Sequence, residues 1–326
     1  MAEDKIREID WLRGFATFLV VLGHSIIVFP VDLHAVPWCR FLFETLSSFH
    51  MALFFAISGF CFSMRGGYWS YIRRKARLLL IPYICFSLIG IIPRYFFPSL
   101  VNGSESLSES VISILLYGGD IWFLYTLFII FAVFPLVRNA AEKAEIMTVS
   151  AVIVLALFSA KAPKLFCINS ALYYLSFFTL GYTARKHSVF SIRDKTETMT
   201  EKQRIIAVLI CLAVLLACGY LHMNLGNTVL NFIEGCAGIT ACFVLTLVLP
   251  KLTGAFEPIS RYSLPIYLLN GYWLVISRTL AVRVLKLSSA ALIISVNLAI
   301  DLFISYLVIK YILERIPLVR DVIGIH

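Results

Sequence analysis

Long apolar runs recur from one end of the chain to the other, and they constrain its fold more than any other feature. Hydrophobic residues make up 60% of the chain and charged residues only 14%. A water-soluble domain of this composition would expose large apolar patches, whereas about 20 apolar residues suffice for a helix to cross a bilayer. The pattern predicts an all-α integral membrane protein, with about ten transmembrane helices in a single bundle and one domain over residues 1–326. The expected spans are 11–30, 46–64, 77–97, 121–137, 147–161, 168–185, 205–221, 228–249, 262–280 and 290–313.

The basic residues predict how the chain is oriented. With the N-terminus in the cytoplasm, most of the 28 Lys and Arg residues fall in cytoplasmic segments, in agreement with the positive-inside rule. We therefore expect a multi-pass protein of the cell inner membrane with both termini cytoplasmic. The net charge of +9 is first of all this orientation signal, and without a compact basic domain nucleic acid is not an expected partner. The eight cysteines show no metal-ligand spacing, so no metal is expected.

Two ionisable residues lie in the first apolar run. Arg13 and His24 are eleven positions apart, which is close to three helical turns, so they share a helix face with Cα atoms about 16 Å apart. Ionisable residues inside a membrane helix are costly and indicate function. Arg13, three residues after Asp10, is suited to an ion pair with that residue and to holding an anion, or to anchoring the helix at the cytoplasmic boundary. His24 is suited to act as a general base, or to hydrogen-bond a neighbouring helix.

A second basic cluster precedes the third expected span. Arg74 and Arg77 are three positions apart and share a helix face, which suits them to grip phosphate oxygens. Clusters of this kind also occur beside membrane spans for reasons of topology, and they attract anionic lipid. The cluster alone therefore leaves an anionic ligand and a membrane surface as alternatives.

Several motifs occur in an order typical of one family. The stretch from Arg7 to Ser25 resembles the opening motif of the membrane acyltransferase-3 family, in which a basic residue and a histidine are separated by ten residues. Later stretches also resemble family motifs, although members often have histidine where this chain has Asn270, so position 270 is given no acid-base role. These stretches are Phe49–Phe60, Arg73–Tyr83, Trp122–Phe128 and Tyr262–Asn270.

The resemblance implies an O-acyltransferase with acyl-CoA as donor, acetyl-CoA being the commonest in the family, and a carbohydrate hydroxyl as acceptor, free or lipid-linked. It implies that His24 is catalytic and that Arg13, Arg74 and Arg77 bind the donor. The partners expected are acyl-CoA, the carbohydrate and membrane lipids.

Further polar residues are candidates for the same site. Glu234 and His50 fall at a depth similar to that of His24 in the expected spans. Glu234 is a candidate to orient His24 or to stabilise its charged form, although it is as well suited to a structural role. His50 is an alternative orienting partner, or a donor to the developing oxyanion. His34 belongs to the first outer loop, where an acceptor would arrive, and His222 is expected to be solvated or interfacial.

Two other classes of function remain open at this point. A proton-coupled or lipid-linked-sugar transporter would use buried histidine and carboxylates as a proton pathway. A membrane sensor with a degenerate active site would also be compatible with Asn270. The spacing of Arg74 and Arg77 beside a histidine-bearing first span favours the acyltransferase over the transporter, and retention of Arg13 and His24 favours it over the sensor.

Overall fold

The computed structural model describes residues 7–26, 33–96, 106–189, 198–249, 254 and 256–323. Within these ranges the protein is helical and contains no β-strand, which confirms the all-α prediction. The helices are α1 (Arg7–Ile26), α2 (Pro37–Ser47), α3 (His50–Phe60), α4 (Tyr68–Phe96), α5 (Leu107–Ile112), α6 (Trp122–Lys143), α7 (Glu145–Phe158), α8 (Ile168–Lys186), α9 (Glu201–Leu225), α10 (Thr228–Val248), α11 (Glu257–Arg261), α12 (Ser263–Arg278), α13 (Ala290–Tyr311) and α14 (Pro317–Val322).

The described residues contain eight segments that are long and apolar enough to cross a membrane, rather than the ten predicted. The predicted spans at 147–161 and 262–280 are not among these eight segments. The first corresponds to α7, whose 14 residues, at about 1.5 Å per residue, are shorter than a hydrocarbon core of about 30 Å. The second corresponds to α12, which continues as a π-helix over Thr279–Val284. Apolar runs therefore predicted the helices correctly but overestimated how many of them are long and apolar enough to span.

The segment that corresponds to the second predicted span, 46–64, begins earlier than predicted and consists of two helices. Residues Pro37–Phe60 are long and apolar enough to cross a membrane, but α2 ends at Ser47 and α3 begins at His50. Phe49, between them, has a φ of −140° and a ψ of −20° and leaves the helical conformation. This break sets His50 at the first position of α3.

The chain divides into two compact units, each assembled from separate segments. The first unit contains residues 1–26, 34–62 and 177–263, and the second contains residues 27–33, 63–176 and 264–326. The prediction of one domain over residues 1–326 stays a prediction. Residues 1–6 and 324–326 lie outside the described residues, so the predicted cytoplasmic position of both termini stays a prediction.

Helix α1 is at the centre of the first unit. It packs against α2, α3, α10 and α11. Trp11 stacks on Phe15 with ring centroids 4.8 Å apart, and the Phe256 ring meets both of these rings edge-on at 5.6 and 5.5 Å. The apolar face of α1 is thus fixed by aromatic packing, which holds the helix that carries both Arg13 and His24.

The second unit is organised around α4 and α6, which pack against each other. Lys75 places its ammonium nitrogen 3.9 Å from the centroid of the Phe131 ring, a cation–π contact between the two helices. The hydroxyl of Tyr83 donates a hydrogen bond to the carbonyl of Ile114. Farther along, Ser305 donates to the carboxylate of the fully buried Asp301 across 3.2 Å.

Candidate active site

His24 lies in the last turn of α1, which is a single uninterrupted helix from Arg7 to Ile26. The side chain of His24 is exposed, whereas its neighbours Gly23 and Ser25 are buried. The imidazole is therefore accessible to a reactant, while the helix that carries it is held by the packing on both sides. This arrangement suits a group that transfers protons to and from a bound molecule.

The imidazole of His50 is held by a hydrogen bond to the backbone of the preceding helix, α2. Its Nδ1 atom lies 2.6 Å from the carbonyl oxygen of Leu46, in the last turns of α2. Because a carbonyl oxygen only accepts, Nδ1 must carry the proton, and the Nε2 atom of the neutral ring then presents a lone pair. Neutral His50 can thus accept a proton at Nε2. It can donate to an oxyanion through Nε2, the second predicted role, only in its charged form.

The structure brings His24 and His50 together. Their imidazoles are close enough to interact electrostatically. Helix α3, which begins at His50, also packs directly against α1. Two of the three predicted catalytic residues therefore form a pair within the first unit. We refer to them below as the histidine pair.

Glu234 has a partner different from the predicted one. Its Oε2 atom lies 2.8 Å from Nδ1 of His222, which is near the end of α9, and the glutamate side chain is only 1% exposed. The role of Glu234 toward His24 stays a prediction, while its observed contact is a hydrogen bond from His222 that links α9 and α10. His222 is correspondingly not a solvated residue, because its side chain is 21% exposed and held between carboxylates.

Two further residues extend this contact. Glu44, on α2, places one carboxylate oxygen 3.8 Å from Nε2 of His222 and the other 3.4 Å from Nε2 of His34. Sequence reasoning gave Glu44 no role and separated His34 from His222. Their proximity depends on how α2 packs against α9, a long-range contact for which the sequence carries no local signal.

Arg13 lies near the opposite end of α1 from His24. One of its guanidinium nitrogens is 3.6 Å from Oδ1 of Asp10, which confirms the predicted ion pair, and another donates to Sγ of Cys61 across 3.5 Å. Arg185, which the sequence did not single out, lies at the same end of the unit. It donates to the carbonyl oxygens of Phe60 and Phe62 at 3.2 and 3.3 Å and so caps the end of α3.

The two arginines predicted to grip phosphates belong to the second unit. Arg74 and Arg77 lie on α4, and both side chains are exposed. Among the described residues no carboxylate pairs with either of them. Their predicted spacing on one helix face is therefore present, and their charge is available to a ligand.

No group of three or more metal-binding side chains was found among the described residues. What the arrangement offers is acid-base chemistry in the histidine pair and positive charge at Arg13, Arg74 and Arg77. The fold and these groups together define the class of protein: a multi-pass helical membrane protein whose ionisable side chains are held on membrane-spanning helices.

Comparison with known proteins identifies the family. Residues 6–310 match the acyltransferase domain of the acyltransferase-3 family. Because this match covers nearly the whole chain, the chain belongs to that family. The nodulation protein NolL of Mesorhizobium japonicum is 28% identical over 181 residues, which are 53% of this chain and 46% of that protein. The chain thus spans about half the length of this relative. No solved structure matches the chain.

Proposed function

We propose that this protein transfers an acyl group, acetyl first among the candidates, from acyl-CoA to a hydroxyl of a cell-surface carbohydrate. The acceptor is free or linked to lipid. We propose the cell inner membrane as its location, with both termini cytoplasmic, so that the donor arrives from the side on which acyl-CoA is made. The observation that carries the proposal is the accessible His24, paired with His50 within residues that match an acyltransferase domain.

The donor is proposed to bind through its phosphates. Arg74 and Arg77 are exposed and share one face of α4, a spacing that allows two guanidinium groups to contact neighbouring phosphate oxygens. Arg13, whose side chain is 34% exposed, is the third proposed contact. Charge-assisted hydrogen bonds of this type contribute about 1.5–3 kcal/mol each, enough for each arginine to change the affinity measurably.

The reaction is proposed to proceed by general-base catalysis. His24 accepts the proton of the sugar hydroxyl as the hydroxyl oxygen forms a bond to the thioester carbonyl carbon. The carbonyl π electrons move to the oxygen, and this oxyanion returns them as the carbon–sulfur bond breaks. The CoA sulfur leaves with the bond's electron pair and takes the proton from His24. The products are the acyl ester and CoA thiol, and the imidazole is neutral again.

His50 is proposed to assist His24. Its Nδ1 atom is held by the carbonyl of Leu46, so the orientation of the ring is fixed and its Nε2 lone pair is available. Like charges on neighbouring imidazoles repel, so the pair is suited to hold one proton at a time. We propose that neutral His50 orients the His24 imidazole through this lone pair, which is one of the two roles predicted for it.

The donor side is tested with purified protein and radiolabelled acetyl-CoA. Replacing Arg74 or Arg77 with Ala is expected to weaken acetyl-CoA binding about tenfold or more for each change, because a charge-assisted contact is lost. Arg283→Ala is the matched control, since Arg283 is an exposed arginine of the second unit that lies outside α4. It removes the same charge and is expected to leave the affinity within about twofold, the size of a surface-charge effect.

Equal effects of all three substitutions would show a general charge attraction instead of a phosphate site. If the unaltered protein neither binds nor turns over acetyl-CoA, the acetyl donor is wrong, and longer acyl-CoAs are tested in the same assay. Failure of every acyl-CoA would overturn the proposed donor class.

A further inference from the structure

Four side chains of the first unit form a continuous line of alternating imidazoles and carboxylates, which we call the His–Glu chain. The line consists of His34, Glu44, His222 and Glu234, with successive nitrogen–oxygen distances of 3.4, 3.8 and 2.8 Å. Side-chain exposure is highest for His34, at 39%, intermediate for Glu44 and His222, at 19% and 21%, and lowest for Glu234, at 1%. The line therefore leads from an accessible residue to a buried carboxylate.

Close packing of helices positions the His–Glu chain. A Cβ atom at Gly219 would lie only 1.8 Å from the hydroxyl oxygen of Thr45, so only glycine allows α9 to approach α2 this closely. Thr45 is the neighbour of Glu44, and Gly219 lies one turn before His222 on α9. The contact therefore brings the Glu44 carboxylate next to the imidazole. The short connection between α9 and α10 then places Glu234 on the other side of His222.

The buried end of the His–Glu chain has hydrogen-bond acceptors that are not used. Glu234 engages His222 through Oε2, but its Oε1 atom is buried and accepts no hydrogen bond from the described residues. The same holds for Oδ1 of Asn231, one turn earlier on the same face of α10. A buried acceptor without a donor costs about 1–3 kcal/mol, and more when it is charged. Two such oxygens one turn apart indicate a ligand that supplies hydrogen-bond donors.

The surroundings indicate which kind of donor fits. A cationic ligand would have to lie beside His222, whose Nδ1–H already donates to the carboxylate, and the described residues include no metal-binding group of three. Neutral hydroxyl groups can donate to Glu234 and Asn231 without bringing a charge next to His222. A molecule with several hydroxyl groups on one ring satisfies these positions together, as a sugar does.

We propose that Glu234 and Asn231, supported by His222 and Glu44, bind two hydroxyl groups of the carbohydrate acceptor. This inference rests on the proposed function and adds an acceptor site to it. Phe49, the residue before His50, packs against Gly238, which is one turn after Glu234 on α10. The site therefore lies on the same pair of packed helices as His50, so a sugar held by Glu234 is presented near the histidine pair.

The test measures sugar binding directly, without acyl transfer. The full-length protein in detergent is titrated calorimetrically with the methyl glycosides of glucose, galactose, mannose and N-acetylglucosamine. The unaltered protein is expected to bind at least one of them saturably. Glu234→Gln, which keeps the shape but removes the charge, and Asn231→Leu are each expected to weaken that binding about tenfold or more.

Thr240→Val is the matched control, because Thr240 lies on the same helix and its hydroxyl donates within α10, to the carbonyl of Cys236. It is expected to bind the glycoside as the unaltered protein does. The unfolding temperature of each variant is recorded as well. A purely structural role of Glu234 would lower that temperature and leave the affinity of the folded protein unchanged, which would overturn the inference. Absence of binding of all four glycosides to the unaltered protein would overturn it too.

The same samples are assayed for acetyl-CoA turnover, which separates the two proposals. Turnover without glycoside binding means that the acceptor site is wrong while the proposed donor stands. Glycoside binding that depends on Glu234, without turnover of any acyl-CoA, means that the proposed donor is wrong while the acceptor site stands.

Discussion

Replacement of His24 by Ala is expected to reduce the rate of acyl transfer about 10²- to 10⁴-fold, the contribution typical of a general base. Binding of acetyl-CoA is expected to remain, because the phosphates are proposed to contact Arg13, Arg74 and Arg77 and not the imidazole. His24 is exposed, so its truncation creates no cavity in the packed core. The measurement is the steady-state release of CoA from radiolabelled acetyl-CoA, together with the dissociation constant of the donor.

His187→Ala provides the control for this experiment. His187 is an exposed histidine that directly follows α8, outside the histidine pair. Its replacement is expected to leave the turnover rate unchanged. If His24→Ala turned over acetyl-CoA as fast as the unaltered protein, His24 would not be the base. The lone pair of His50 at Nε2 would then be the next candidate, and His50→Ala would be measured in the same way.

The second large effect is expected on folding. Gly59 on α3 faces α8, and a Cβ atom added there would lie 1.9 Å from the backbone oxygen of Phe178. The same crossing has a second glycine, Gly181, whose Cβ would lie 1.9 Å from the backbone oxygen of Ala56. Backbone atoms cannot move aside as a flexible side chain can. Gly59→Ala is therefore expected to destabilise the protein by about 3 kcal/mol or more, at the upper end of overpacking effects.

Gly271→Ala is the matched substitution without a clash. Gly271 lies within α12 and is exposed, and an added Cβ would meet no atom within 4 Å. Alanine in a helix is favoured over glycine by about 0.5–1 kcal/mol, so this variant is expected to be as stable as the unaltered protein or slightly more so. Thermal unfolding in detergent, followed by the loss of the monodisperse species, measures both. Equal unfolding temperatures for the two variants would contradict the close helix crossing.

The fold class could be predicted because it depends on composition and on the length of apolar runs. The number of spans could not, since hydropathy does not fix where a helix ends. The run at 147–161 is mostly apolar, yet α7 ends at Phe158 after 14 residues. The break between α2 and α3 was also missed. No Pro or Gly marks it, and residues 46–64 read as one apolar segment.

The candidate site was predicted in part. Arg13 and His24 could be found because one helix fixes their spacing, and the ion pair of Arg13 with Asp10 is equally local. Glu234 was singled out because a carboxylate within an apolar run is unusual, but its partner was not foreseen. His222 is on another helix, and nothing in the eleven positions between the two residues indicates the contact.

The sequence by itself determined that this protein is an all-helical membrane protein, that Arg13 and His24 share one helix, and that the chain has the motifs of an acyltransferase. These properties depend on the periodicity of a single helix and on the cost of placing charges in hydrocarbon. Only the tertiary structure decided that His24 and His50 are close enough to interact electrostatically and that Glu44, His222 and Glu234 form one line. Such contacts depend on which helices pack together and how closely. At Gly219 the absence of a side chain lets α9 approach Thr45 on α2, a residue far away in the sequence.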